Sequence, residues 1–578
     1  MSKQLVTTKI EKIFTKKCIY LNFAPDNNLK NNIVFFNKRW ETEKNLTDDF
    51  NFVNDLYEHY LIELTKELNK YHNTNHDLRY WRIALGYWLY HFISAIYERW
   101  CSINEVLRSE NEFIFSKAEY NPEKIIPNSI NDFIFLANTQ FWNHYVYYQI
   151  LNNFKDLKKI KFYDQSDNYK ELENSKFYSQ KKNYFFRQKV KSLLFNNENV
   201  ENYYFNLKLN IIELFKLNLI SNKKFIIPNQ FPEYQFISKI YKKVDGESRN
   251  NLNLSCKTKN SFEKFINVMI KNNLPRIFFE SFNSAKQLLK NFNLPKNPKR
   301  IITANGFQTN GLYSLYLAEK IDHSKLVCVQ HGGAYGQFDY HFPTLHEIKI
   351  CDKFLSWGWN LNKVTPFSIL KKIDLHTSDD QHKNILFEVR PYRMFVKRIE
   401  ISESQHRADE QLKKLIKFFS LIKNDNISND LRIKLSFRDY QDKLDKKNFL
   451  NSNPNLKFID RHKSTLDFKK STKLIIHTSL LTGHLESFYS NLPLLIFCNT
   501  KNLIKTEHCE FIGELKKLKI LHNDPLSLHS HLKFIYNDIQ DWWNSNEIQE
   551  FRLKYCKKFA IVNKNKIKNL DLLIKKSF

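Results

Sequence analysis

The chain has 578 residues, 42% of them hydrophobic, with eight cysteines and a formal charge of +29. That length exceeds one compact core and predicts several domains. No apolar run approaches the roughly 18 residues of a membrane span, and the scattered cysteines have no C-x-x-C pair or structural-zinc spacing, so reduced thiols are expected.

The amino-terminal stretch MSKQLVTTKIEKIFTKKC lacks an apolar core followed by small residues, which predicts a cytoplasmic protein without a secretory signal. Lysines are spread through the chain and its Lys, Asn, Ile, Phe and Tyr content matches AT-rich codon usage, so the basic charge predicts no nucleic-acid partner. CIYLNFA (Cys18 to Ala24) reads as a buried strand. From Asp48 to about Leu107 apolar residues recur at helical spacing, interrupted at NTNHD, whose polar residues supply caps; at least two helices are expected. Within them YWLYHFISAIYERW is apolar but is broken by His91, Glu98 and Arg99. Residues 150 to 260 read only as mixed helix and loop.

From about residue 274 short β-branched or aromatic runs alternate with helical stretches: RIFFE, RIITAN, LVCVQH and IKICDKFLSWG. A polar connector follows Trp359, and from residue 382 the alternation restarts with NILFEV, RIKLSF, LKFID, KLIIHTS, PLLIFC and LKILH. Strands alternating with helices predict parallel βαβ units, here in two α/β bodies facing a cleft. The expected division is 1–360 with a helical insertion at about 48–260, a linker at 361–381, a second body at 382–535 and a helical segment at 536–578 that crosses back to brace the first body.

Six of only ten glycines fall between Gly306 and Gly358. In LVCVQHGGAYG, His331 stands where a strand ends, and Gly332, Gly333 and Gly336 allow a backbone approach that a Cβ would block. The turn is neither G-x-G-x-x-G nor a P-loop. HEIKI opens like a zincin motif, but Ile350 stands where the second histidine belongs. His331, His341 and His346 could assemble a metal site with Asp339, but their spacing is not diagnostic of one, and no metal is expected. Acid–base work is the more economical role, with His331 and Glu347 as base candidates. In the second body Thr478, Ser479 and Thr482 lie at a strand end and helix start, where amides and dipole favour a phosphate, or where they simply cap the helix. His477 is a candidate phosphate contact and Glu486 a candidate for a ribose diol. Arg390, Arg393 and Arg438 follow strands and suit bidentate phosphate binding, or surface salt bridges.

DLRYWRIALGYWL with ERW, QHGGAYG, HEIKICDKFLSWGW, HTSLLTGHLESFYSNLPLLIF and the late tryptophans Trp542 and Trp543, in this order, resemble the surface-polysaccharide transferase family first delimited in leptospiral O-antigen loci. That family resembles GT-B glycosyltransferases and, more distantly, Kdo transferases and CDP-glycerol glycerophosphotransferases. The resemblance implies two Rossmann-like domains, a nucleotide-sugar donor on the carboxyl-terminal one, either CMP-Kdo- or nonulosonate-like or an NDP-hexose, a glycan or lipid-linked acceptor on the other, no cofactor, and peripheral contact with the inner membrane in lipopolysaccharide, O-antigen or capsule assembly. Transfer of a polyol phosphate from a CDP donor, or a non-catalytic scaffold for polysaccharide assembly, are the rival readings.

Overall fold

The computed structural model describes residues 3–23, 32–157, 159–164, 200–220, 240–258, 260–292, 294–376, 384–390, 392–400, 404–423, 425–435, 456–459 and 471–577. Three parallel sheets organise them, and this is one more than the sequence suggests. The first contains β1 (Lys3–Val6), β2 (Cys18–Leu21), β3 (Ile33–Phe35), β4 (Phe113–Lys117) and β5 (Ile160–Asp164), in the order β3-β2-β1-β4-β5. The segment expected to be a helical insertion therefore supplies strands as well: β4 and β5 to this sheet and β6 (Asn202–Phe205) to the next. Only β2 is anticipated, its four residues all buried, whereas β1 and β5 carry charged residues and two of the three residues of β3 are exposed.

The two predicted helices form as α1 (Glu43–His72) and α2 (Leu78–Ser109). The NTNHD break does what its residues allow. Asn73 takes the left-handed conformation, at φ 52°, and ends α1, while the Asp77 carboxylate accepts the amide of Tyr80 and starts α2. From Tyr80 to Trp100 every residue of α2 is buried, so the helix is a central pillar and its charged groups need partners. Arg99 finds them. Its Nε and Nη2 donate to Asn143 Oδ1 at 2.9 and 2.7 Å, and its Nη1 donates to the Ala95 and Val396 carbonyls at 2.8 and 2.6 Å.

The second sheet runs β10-β9-β8-β7-β6, with β7 (Arg300–Thr303), β8 (Lys325–Val329), β9 (Lys353–Ser356) and β10 (Val364–Pro366), so β10 pairs within residues expected to be linker. RIFFE, expected as a strand, is instead a 3-10 turn at Arg276–Phe278. Its five buried residues carry no period that separates strand from helix, and the amides of Arg276 and Ile277 go to the carbonyls of Pro127 and Asn128 rather than to a ladder. IKICDKFLSWG divides likewise: Ile348 to Ile350 close the Phe342–Ile350 helix, and β9 begins at Lys353.

The third sheet contains all six strands anticipated for it: β11 (Asn384–Val389), β12 (Leu431–Leu435), β13 (Lys457–Ile459), β14 (Thr472–His477), β15 (Leu494–Phe497) and β16 (Leu521–His522). Their order, β13-β12-β11-β14-β15-β16, is doubly wound and reverses direction between β11 and β14. Beyond it the Asn546–Phe559 helix returns to the second sheet. The Ile561 amide donates to Trp357 O at 2.8 Å, and the Ile369 amide donates to Ile561 O at 2.7 Å. None of the helices among the described residues is long and apolar enough to cross a membrane.

Candidate functional site

In a doubly wound sheet, ligands bind beyond the carboxyl ends of the strands where the order reverses. There lies an open crevice, lined by Arg390 and Tyr392 after β11, by Thr478 to Leu481 after β14, and by Cys498 and Asn499 after β15. Phe338, from the segment following the histidine-glycine turn, closes one side. Thr478 stitches the reversal point together: its hydroxyl donates to Glu388 O at 3.2 Å and accepts the Arg390 amide at 2.7 Å. Ser479 is half-buried on the wall. The helix begins at Thr482 as expected, but Leu481 stands at its cap position and no side chain caps it; the Thr482 hydroxyl accepts the Gly333 amide at 3.1 Å instead.

That bond joins the two halves of the site. A Cβ on Gly333 would lie 2.6 Å from the Leu481 carbonyl carbon and 2.8 Å from Thr482 N, so only glycine lets the turn after β8 seat on the turn after β14. Phe338 and Ile504 form an antiparallel bridge beside it, and the Lys505 amide donates to Gln337 O at 2.9 Å. The Tyr555 hydroxyl, from the returning helix, donates to Gln337 Oε1 at 2.7 Å.

His331 sits at the end of β8, half-buried, with its Nε2 3.2 Å from the Tyr335 hydroxyl. Burial first, and the nearby Lys208 ammonium second, push its pKa down to about 3, so the ring is neutral through the physiological range. Glu347 is placed differently from the expectation that it could meet an acceptor. Its side chain is fully buried, it accepts hydrogen bonds from Tyr335 and Gln308, and burial raises its pKa well above the usual carboxyl range. It stands behind Tyr335, which separates it from His331. His341 is bonded to Thr344 Oγ1 at 2.7 Å and His346 lies 3.5 Å from the Tyr57 hydroxyl. Among the described residues no three His, Cys, Asp or Glu side chains converge as a metal site requires.

Two further expectations are corrected by partners distant in sequence. Both His477 nitrogens are engaged, Nδ1 with Glu388 at 3.1 Å and Nε2 with the Ser487 hydroxyl at 3.0 Å, so the ring braces β14, and it is not among the crevice residues. Glu486 is buried, salt-bridged to Lys371 at 2.7 Å, and is not among the crevice residues. Arg393 lies in the segment after β11 but is not part of the crevice wall, and Arg438 lies outside the described residues. The residue that sequence reasoning missed is Arg407, in the first turn of the Gln405–Ile422 helix. It lines the crevice although it is only 6% exposed, and none of its three guanidinium nitrogens has a hydrogen-bond partner among the described residues.

Parallel sheets meeting at a crevice on the reversal point of a doubly wound sheet define an α/β ligand-binding enzyme framework. The chain matches the model of the LIC12162 family transferase over residues 3–574, and it belongs to that family; it is a transferase. No curated protein matches it. Among solved structures it is similar to the glycosyltransferase SnogD from Streptomyces nogalater, at TM-score 0.35 and 8% identity over 65% of this chain and 100% of that one. It is also similar to the calicheamicin glycosyltransferase CalG4, at TM-score 0.31 and 10% identity over 65% and 98% of the two chains. MurG of Acinetobacter baumannii follows at TM-score 0.29 and 12% identity, over 51% and 78%.

Proposed function

We propose that this transferase is a glycosyltransferase of GT-B type. It takes a sugar from a nucleotide-activated donor held in the crevice of the third sheet and passes it to a hydroxyl of a surface-polysaccharide or lipid-linked glycan. The observation that carries this reading is the crevice itself, at the β11/β14 reversal point, with Arg390, Thr478 and Ser479 on its wall and the His331 turn locked against its rim through Gly333. The guanidinium groups hold the phosphate of the donor and stabilise it as it departs with the nucleotide. An acceptor hydroxyl approaches the anomeric carbon from the second-sheet side and gives its proton to His331, whose ring burial keeps unprotonated. An anionic donor close by raises the proton affinity of that ring, so it takes the proton only when the cleft is loaded. Tyr335, backed by Glu347 and Gln308, fixes the ring's orientation.

Calorimetric titration with CMP, CDP, UDP, GDP and TDP tests the donor half. Selective binding of one base is expected; a folded protein that binds none overturns the reading. With the donor so identified, His331→Ala is expected to lower transfer by roughly 10²–10⁴-fold with nucleotide affinity unchanged.

The exposed face of the Ile211–Ile220 helix, formed by Ile212, Phe215 and Leu219 with the exposed Lys216 beside them, supports peripheral membrane contact near a lipid-borne acceptor. Of the two tryptophans near the carboxyl terminus, Trp543 does not supply it, being fully buried and bonded to Asn491, while Trp542 is half-buried. Phe215→Asp is expected to reduce co-sedimentation with vesicles containing anionic lipid, and unchanged sedimentation removes the helix from that role.

A further inference from the structure

A buried guanidinium without a partner is among the least tolerated arrangements in a protein interior, because its desolvation is not offset by any hydrogen bond. Arg407 is in that position, with Nε, Nη1 and Nη2 all unpartnered among the described residues. Its backbone is firmly held: its amide donates to the Ser404 hydroxyl at 3.3 Å, and one turn later Gln411 Nε2 donates to Phe497 O at 3.0 Å, which pins the helix to the end of β15. The guanidinium is therefore carried to the crevice by a fixed scaffold. Arg390 lines the same crevice from the β11 side, and both cations act on the Cys498 thiol, whose pKa burial raises and the two guanidinia lower. No carboxylate occurs among the described residues of the crevice wall. Glu41 and Glu410 act on Arg407 only at a distance, without a hydrogen bond.

We infer that the crevice is a diphosphate site and that Arg407 is its buried anchor, so that the donor is a nucleoside diphosphate derivative and not a nucleoside monophosphate sugar. The inference rests on the donor reading above and narrows it by charge. At the phosphate linkage itself, a nucleoside monophosphate sugar presents one negative charge, any second charge lying on the sugar's own carboxylate, whereas a sugar or polyol joined through a diphosphate presents two on adjacent phosphates. Two guanidinia on a wall whose described residues include no carboxylate match the second. The planar fork of Arg407 is suited to bridge oxygens of adjacent phosphates, as one lysine ammonium would not. The ligand relieves the cost of the orphaned charge, so the site binds the inorganic diphosphate on its own.

The test uses the full chain, with inorganic pyrophosphate, inorganic phosphate, and the mono- and diphosphates of each nucleoside as probes, followed by calorimetry and thermal unfolding. Pyrophosphate and one nucleoside diphosphate are expected to bind at least about tenfold more tightly than phosphate and the corresponding monophosphate. Arg407→Met is expected to raise the melting temperature of the ligand-free protein, because it removes an uncompensated charge, and to weaken pyrophosphate at least about tenfold. Arg407→Lys, which keeps the charge and loses the fork, is expected to bind pyrophosphate with intermediate affinity. Equal affinity for mono- and diphosphates overturns the inference and leaves the nucleotide-donor reading standing. Pyrophosphate binding that depends on Arg407, with no nucleotide bound, upholds the anion site and removes the donor reading. A fall in melting temperature on Arg407→Met with pyrophosphate binding unaltered shows the guanidinium to be structural and also overturns the inference.

Discussion

Lowering the pH from 7 to 5 is expected to unfold the protein or to bring it close to unfolding. His91, His144, His346 and His484 are each at most 4% exposed, and burial pushes their pKa down to about 3. His341, 5% exposed, is held well below its ordinary value by burial and by Arg398. In the unfolded chain all five titrate near 6.5. Above that value neither state binds their protons and they do not affect stability; below it the unfolded chain binds protons that the folded one refuses, and stability falls as pH falls. Two buried carboxyls act in the opposite direction. Glu11, raised to about 7 by burial, and Glu347, raised well above its usual range, keep protons in the folded state that the unfolded chain has released above pH 4.5. The four rings near 3 against Glu11 near 7 leave a surplus of about three protons on the unfolded chain near pH 5, or roughly 4 kcal/mol of stability lost per pH unit, with His341 adding to that loss and Glu347 opposing it. That is a large part of the about 5–15 kcal/mol available to a folded domain. Thermal unfolding between pH 7.5 and 4.5 measures it. His346→Met, which removes a ring whose Nε2 has no partner among the described residues, should flatten the slope by about one proton. A melting temperature that is the same at pH 5 and pH 7.5 contradicts the neutrality of these rings.

Gly336→Ala is expected to be nearly as damaging, through one methyl group. Gly336 has φ +73°, in the left-handed region, and a Cβ there would lie 2.4 to 2.5 Å from three atoms of the Trp359 indole. The indole cannot simply swing aside. It donates from Nε1 to Gln330 Oε1 at 2.8 Å, and the same oxygen receives the Trp357 amide at 2.8 Å, so the ring is tied to the end of β8. Conformational strain of about 1–2 kcal/mol and overpacking of about 1–3 kcal/mol together predict a loss of roughly 2–5 kcal/mol. Gly513→Ala serves as the control. That glycine lies inside the Cys509–Lys517 helix with nothing within 4 Å of its Cβ position, and a small gain in stability is expected. Denaturant midpoints of the two variants should move in opposite directions; equal midpoints would remove the Trp359 packing argument.

How far the sequence reveals this arrangement depends on where each residue's partner lies. The third sheet is legible because its central strands, such as β14 and β15, are buried on both faces and read as nearly unbroken apolar runs bounded by turn residues. The first sheet is not, since runs as short as KQLV and IVF are too brief to carry a period. The glycine cluster is legible because glycine is scarce elsewhere, and Gly333 and Gly336 each have a steric reason to be there. His477 and Glu486 are misread for one cause: Glu388 and Lys371, which occupy them, lie 89 and 115 residues away, and no local pattern reports such partners. Arg407 stands in QHRADEQLKKL, where the charged and apolar residues alternate as on any solvated helix. Only the position of that helix against β15 makes its third residue a buried one.

The return of the Asn546–Phe559 helix also constrains the order in which the molecule can be made. Gly358, at φ +143°, leaves space for the Lys557 and Lys558 carbonyls, which would lie 2.7 to 2.8 Å from a Cβ at that position. The groove that receives them is built from residues translated some two hundred positions earlier. During synthesis the second sheet must therefore wait, with Trp357 and Ile369 lacking their final backbone partner, until the third sheet has left the ribosome.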